Sequence, residues 1–218
     1  MEGTSNTSLT DLPLRELLAR LATRDPVPGG GSAAALAGAM GAALVSMVTE
    51  LTIGRPDAAD HEDQLLEARS EATSHLAALL DLADEDAAAY HSVVEARRLP
   101  RTTDEEQAAR LLALNSAMHR AAEAPLRTAQ TAARVLDLAN GVAPIGNLNA
   151  VSDAGVAALL AAASVRGAAL NVRINLPYLP AGDPLGTIAP EEVARLEHLA
   201  DELERSALDI VARRMARP

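Results

Sequence analysis

Three segments of this sequence carry residue types at spacings suited to chemistry. The first is Pro28-Gly29-Gly30-Gly31-Ser32. Consecutive glycines allow backbone to approach a ligand closely, and the N–H groups that open the following helix can hold an anion or a carbonyl. An ordinary interhelix loop would use the same residues, since no strand precedes them and no lysine follows. The second is Asp84-Glu85-Asp86, with Tyr90 four residues beyond Asp86 and only alanines between. That spacing puts Asp86 and Tyr90 on one helix face. A carboxylate among small residues on a packing-rich helix has its pKa raised by burial and suits a proton shuttle. A solvated charge run is the other reading. The third segment runs from Gly146 to Gly155 and holds Asn147, Asn149, Ser152 and Asp153. The asparagines form turns, and Ser152 or Asp153 can cap the next helix. Farther on, Asn171 and Asn175 lie one turn apart, with Arg173 between them on another face. Buried asparagines need partners, which a heteroaromatic ligand or a neighbouring helix supplies.

Composition removes other chemistries. There is no cysteine, so no disulfide, thiolate nucleophile or Cys-ligated zinc. All 19 basic residues are arginine, which excludes a Schiff-base lysine and a P-loop lysine. None of the five histidines stands in Glu-x-x-His, and His61 among Asp57, Asp60, Glu62 and Asp63 reads as an acidic helix start. No metal and no cofactor are expected. Gly-x-Ser-x-Gly is absent, which argues against a serine hydrolase. A net charge of −11 with two tyrosines, no Phe and no Trp argues against nucleic acid as a partner. The uncharged helical stretch 32–49 falls short of the roughly 20 residues of a membrane span. No basic N-terminus with an apolar run follows a secretory pattern. A cytoplasmic protein without membrane partners is expected.

The elements that must position these residues are helices. Hydrophobic residues make up 49% of the 218, aromatics 1%, and 48 are alanine. Ala and Leu are the strongest helix formers, so an all-β chain is excluded and an all-α one expected. Residues 1–10 read as a frayed tail. Leu14, Leu17, Leu18 and Leu21 give helical spacing over 12–22. Ser32 sits where an N-cap belongs, opening a helix of small residues to about Ile53. There Ala34, Gly38 and Ala42 recur every four residues, suiting a central helix or a dimer seam. A helix over 58–98 follows, about 60 Å long if unbroken. Thr103 and Glu106 form a capping box for the next, which runs to about Leu138 with a kink or restart at Pro125. A helix over 152–176, a loop over 177–190 and a last helix ending near Met215, introduced by Thr187 and Pro190, complete the chain. The expectation is one elongated all-α domain over 1–218, a bundle of long antiparallel helices.

Three stretches carry a family resemblance. PVPGGGSAAALAGAMGAALVSMVTELTIGR (from Pro26–Val27 to Arg55), DEDAAAYHSVVEARRLPR (84–101) and GNLNAVSDAGVAALLAAASVRGAALNVRINL (146–176) resemble the formiminotetrahydrofolate cyclodeaminase / methenyltetrahydrofolate cyclohydrolase family. The resemblance implies an elongated helical fold that forms homodimers, with a tetrahydrofolate derivative bound as substrate near the glycine loop. It implies an aspartate of the second stretch as the proton-transfer group: Asp86, with Asp84 as the alternative. It implies Gly29, Gly30, Gly31 and Ser32 as folate-site residues, with Tyr90. Asn147, Asn149, Ser152, Asp153, Asn171 and Asn175 are further pattern positions. Where relatives carry a Lys-rich stretch, this chain reads Arg55-Pro56-Asp57-Ala58-Ala59-Asp60. Arg55, Arg97 and Arg173 are left to hold the folate glutamate tail. Tyr90 and Tyr178 are the only phenol rings for stacking.

The activity so implied is hydrolysis of methenyltetrahydrofolate to formyltetrahydrofolate. Alternatives are a cyclodeaminase releasing ammonia from formiminotetrahydrofolate, a relative acting on a C–N bond of another heterocycle, and a non-catalytic helical dimer.

Overall fold

Small side chains set the spacing of this protein. The computed structural model describes residues 8–216; residues 1–7 of the expected tail lie outside the described residues. The helices are α1 (Leu14–Leu21), α2 (Gly30–Glu50), α3 (Glu62–Arg98), α4 (Asp104–Val142), α5 (Val151–Asn175) and α6 (Leu185–Met215). Short 3-10 turns cover Leu9–Asp11, Pro56–His61, Leu148–Ala150 and Leu176–Tyr178, and no strand occurs among the described residues. At 1.5 Å per residue α3 and α4 each span roughly 55–60 Å.

Helix α5 lies at the centre, its inner faces lined by Ala154, Ala158, Ala161, Ala162, Val165 and Ala168. Helix α2 runs antiparallel to it at very short range. A β-carbon on Gly38 would lie 2.7 Å from Ser164 Oγ, and one on Gly41 3.1 Å from the Ala157 carbonyl. Residue 167 is also glycine, where a β-carbon would meet Ala34 Cβ at 3.1 Å. The Ala34–Gly38–Ala42 face therefore packs within the chain, making α2 a central helix through that face. Helix α3 flanks α2 antiparallel, tied by Arg69–Glu50 at one end (3.0 Å) and Ser32–Ala83 at the other (2.9 Å). Helix α6 runs along α5 through Arg166–Asp201 (2.8 Å) and Arg173–Glu197 (2.7 Å). Helix α4 packs against α2, α3, α5 and α6 from behind. On the opposite side of the α2–α5 pair, Met40, Met47, Val156 and Leu159 are exposed among the described residues. Gly30–Glu50 and Leu148–Tyr178 are long and apolar enough to cross a membrane by length and composition, and 56% of each apolar window is buried in the bundle.

The structure corrects four sequence expectations. Helix α2 starts at Gly30, with Gly29 in extended conformation at its N-cap, so Ser32 lies inside the first turn. Ser8–Asp11 is not frayed: Leu9 is buried with Leu17 and Ala87. Helix α4 continues through Pro125. Helix α6 begins at Leu185, ahead of Pro190, whose missing N–H leaves only the exposed Gly186 carbonyl unbonded inside the helix. The capping box stands as expected, with Thr103 accepting from Glu106 N–H and the Glu106 carboxylate accepting from Thr103 N–H, each at 3.2 Å.

Candidate active site

Asp86 lies on the face of α3 that meets the start of α2. Its carboxyl fits there because residue 31 is glycine: a β-carbon would come within 2.1 Å of Oδ1. Ser32 Oγ lies 3.1 Å from Asp86 Oδ2 and 2.9 Å from the Ala83 carbonyl. Burial pushes the Asp86 carboxyl above the usual carboxylate range, and the Ser32 hydroxyl and N–H pull it partly back. The counterweight is partial because the one hydroxyl proton of Ser32 is also claimed by Ala83. Ser32 is thus neither an N-cap nor a wall of the cavity; it grips the acid from behind.

In front of Asp86 opens a cavity of about 350 Å³. The glycine loop (Pro26, Val27, Gly29, Gly30, Gly31) forms one wall, Asp86, Tyr90, Val93 and Arg97 of α3 a second, and Asn171, Ile174 and Asn175 of α5 a third. Met118 and Ala121 of α4, with Tyr178, close it. Asn171 Nδ2 donates to the Gly167 carbonyl (2.9 Å) and Asn175 Nδ2 to the Ala121 carbonyl (2.7 Å). The second bond has a specific cause. Pro125 has no N–H for the carbonyl four residues back, and Asn175 supplies the missing donor. These bonds use one N–H of each amide and fix its orientation, and the two Oδ1 atoms remain as acceptors. Asp86 and these two oxygens make a site for a ligand rich in N–H donors, with two tyrosine rings for its flat faces.

The structure thus brings Gly29, Gly30, Gly31, Asp86, Tyr90, Asn171 and Asn175 together, with Ser32 behind them. It does not bring the other candidates there. Asp84 points to the N-terminal turn, accepting from Ser8 Oγ (2.5 Å), Leu9 N–H (2.6 Å) and Thr10 Oγ1 (3.3 Å). Arg173 is ion-paired to Glu197 of α6. Asn147, Asn149, Ser152 and Asp153 lie near the other end of α5, about 30 Å along its axis from Asn171. There Asn147 Oδ1 accepts from Asn149 N–H (3.0 Å), its Nδ2 donates to the Leu51 carbonyl (3.1 Å), and its N–H donates to Thr52 Oγ1 (2.8 Å). That segment locks the end of α2 to the start of α5. On α3 the sequence reading names Asp86, Tyr90 and Arg97 and leaves out Val93, whose place in the 86–90–93–97 spacing carries the signal. Among the described residues no group of three or more His, Asp or Glu side chains gathers to hold a metal.

Comparison with known proteins agrees with this architecture. The family model described as formiminotransferase-cyclodeaminase matches residues 13–183. The chain is 46% identical over 155 residues to a methenyltetrahydrofolate cyclohydrolase of Methylorubrum extorquens, covering 71% of this chain and 74% of that protein. It is 40% identical over 171 residues to the formimidoyltransferase-cyclodeaminase of Mus musculus, covering 78% of this chain but 31% of that protein. The crystal structure of formiminotetrahydrofolate cyclodeaminase from Thermotoga maritima superposes with a TM-score of 0.82 at 25% identity, over 94% of this chain and 98% of that one. On these matches the chain belongs to the formiminotransferase-cyclodeaminase family.

Proposed function

We propose that the protein is a methenyltetrahydrofolate cyclohydrolase with Asp86 as its general acid and base. The observation that carries this reading is the single carboxyl of Asp86, raised in pKa, facing a cavity walled by the glycine loop, Asn171 and Asn175, in a chain 46% identical to a cyclohydrolase. The substrate is a cationic amidine whose reacting carbon bridges N5 and N10. A carboxylate beside that carbon is matched to its charge, and raised basicity lets it take a proton from water. Water adds through oxygen to the carbon as its proton passes to Asp86. In the tetrahedral adduct one C–N bond then breaks, and the electron pair goes to nitrogen, which takes the proton back from Asp86. The adduct hydroxyl becomes the formyl C=O as its proton leaves to solvent. Asn171 and Asn175 orient the pterin N–H groups, and the glycine loop lets the ring lie against backbone.

The first test is the loss of methenyltetrahydrofolate absorbance on adding protein, with Asp86→Asn as control. Decay faster than spontaneous hydrolysis, lost in the variant, is the expected result; no acceleration overturns it. The cyclodeaminase reading uses the same site, and the Thermotoga maritima fold match favours testing it beside the first. Ammonia release from formiminotetrahydrofolate by the same preparation separates the two.

The exposed side of the α2–α5 pair completes the proposal. Met40, Met47, Leu51, Val156, Leu159 and Leu170 are exposed there, between 38% and 65%. A two-fold axis through this face sets the same patch of two copies against each other. We infer a homodimer through this face. Sedimentation should show a dimer for the wild type and a folded monomer for Leu159→Arg; a wild-type monomer at micromolar concentration overturns it.

A further inference from the structure

We propose that Arg97 reads the far, carboxylate-bearing end of the substrate and so sets its specificity; this rests on the folate reading above. Asp86, Tyr90, Val93 and Arg97 follow one another on α3 at intervals of four, three and four residues and all line the cavity. They form a track with the proton-transfer group at one end and a cation at the other. Arg97 is the only cation among the lining residues. Eleven residues of helix separate it from Asp86, about 16 Å along the axis. Helical side chains lean toward the N-terminus, so the guanidinium falls back over the Val93 turn. In the substrate, one phenylene ring and one planar amide separate the reacting carbon from the α-carboxylate, on the order of 10 Å. The long arginine side chain, leaning back along the helix, spans the difference.

The guanidinium is also unspent. Arg55 is paired with Asp57, Arg127 with Glu85 and Arg173 with Glu197, whereas no ion pair with a described residue holds Arg97. Its backbone is fixed instead: Arg110 Nη2 donates to the Arg97 carbonyl at 3.1 Å, bracing the end of α3. In a chain of net charge −11, an unpaired arginine at a cavity wall is placed for an anionic ligand group. A planar fork meets a carboxylate through two parallel bonds, which a lysine does not reproduce. Of the three arginines left by the missing Lys-rich stretch, only this one reaches the cavity.

The test compares methenyltetrahydrofolate with the primary amide of methenyltetrahydropteroate (the pteroate below), which lacks the glutamate and carries no carboxylate. Arg97→Gln should raise KM for the folate about 10- to 100-fold with kcat within a factor of about two, and leave KM for the pteroate unchanged. Arg97→Lys should recover part of the loss. An equal effect on both substrates, or none on the folate, overturns the proposal. Calorimetric titration with p-aminobenzoylglutamate separates this proposal from the activity it rests on. If the wild type turns over neither methenyl compound but binds this fragment and Arg97→Gln does not, the cyclohydrolase reading fails and the role of Arg97 stands. Equal binding by both proteins overturns it.

Discussion

A β-carbon on residue 31 would stand 2.1 Å from Asp86 Oδ1 and 2.5 Å from its Cγ, so Gly31 and Asp86 hold their places only as a pair. No other cavity glycine is bound to a functional side chain this way. A β-carbon on Gly30 would meet Asn171 at 3.6 Å, an ordinary contact.

Gly31→Ala should therefore act on catalysis more than on folding. The obstructing atoms are the end of a rotatable side chain, so Asp86 swings away and its contact with Ser32 breaks. Displacing a catalytic group by about an ångström costs about 100-fold in kcat. Gly30→Ala is the control, with a much smaller loss. Steady-state rates and circular dichroism of the two variants decide the matter; equal losses in kcat would show that the glycines serve only the loop.

The raised pKa of Asp86 has a cost in stability, and its sign is definite. Burial raises the folded pKa above the unfolded one, so the native state holds the proton more tightly. The contribution of Asp86 is most favourable below the unfolded carboxylate range and declines as pH rises through the raised folded pKa. At neutral pH, Asp86→Asn should melt higher than wild type, with the gain vanishing in acid. The same variant should lose about 10²- to 10⁴-fold in kcat. For the wild type, kcat/KM should fall on the acid side with a midpoint above the usual carboxylate range. Thermal melts across pH, paired with rates, check both; a lower Tm for Asp86→Asn at neutral pH contradicts the burial argument.

Local pattern made most of this fold legible. The Leu14–Leu21 spacing, the Thr103/Glu106 box and the alanine content place α1 to α5 to within a few residues, whereas α6 starts inside the loop read over 177–190. What stayed hidden depends on partners distant in sequence. Asp84 and Asp86 look alike in one dimension; they differ because Ser8 and Leu9 meet one and Gly31 and Ser32 meet the other. Pro125 reads as a kink or restart because its remedy, Asn175, lies fifty residues away. Asn147 and Asn171 fall in one stretch of family resemblance, yet a straight helix holds them far apart.

A second titration acts in the opposite direction. Asp183 precedes α6, accepting from Leu185 N–H (2.9 Å) while its other oxygen lies 2.8 Å from His119 Nδ1. The His119 contact holds its carboxyl below the usual range. The folded pKa is depressed, so this contribution is present above the unfolded carboxylate range and is lost as pH falls through the folded value. Asp183→Asn keeps an acceptor for Leu185 and removes the charge; Asp183→Ala removes both and should cost about 1 kcal/mol more, one hydrogen bond. Denaturation at neutral and acid pH should show the Asn variant destabilised at neutral pH and converging on wild type in acid. A gap that persists unchanged in acid would sink the assignment.

The Pro125–Asn175 relation calls for a double-mutant cycle. Asn175→Ala alone takes the donor from the part-buried Ala121 carbonyl, a loss of about 1 kcal/mol. Pro125→Ala returns a backbone N–H to that carbonyl and lets the helix supply its own bond. In that background the Asn175 amide has lost its structural duty, so Asn175→Ala should cost much less. The two changes must then be non-additive in stability, with a coupling on the order of 1 kcal/mol. Activity should behave otherwise: Asn175→Ala removes a cavity acceptor in either background, so its effect on KM should persist in the Pro125→Ala protein. Chemical denaturation of the four proteins gives the first comparison and substrate saturation the second. Additive stabilities would mean that water, not Asn175, satisfies the carbonyl that Pro125 leaves open.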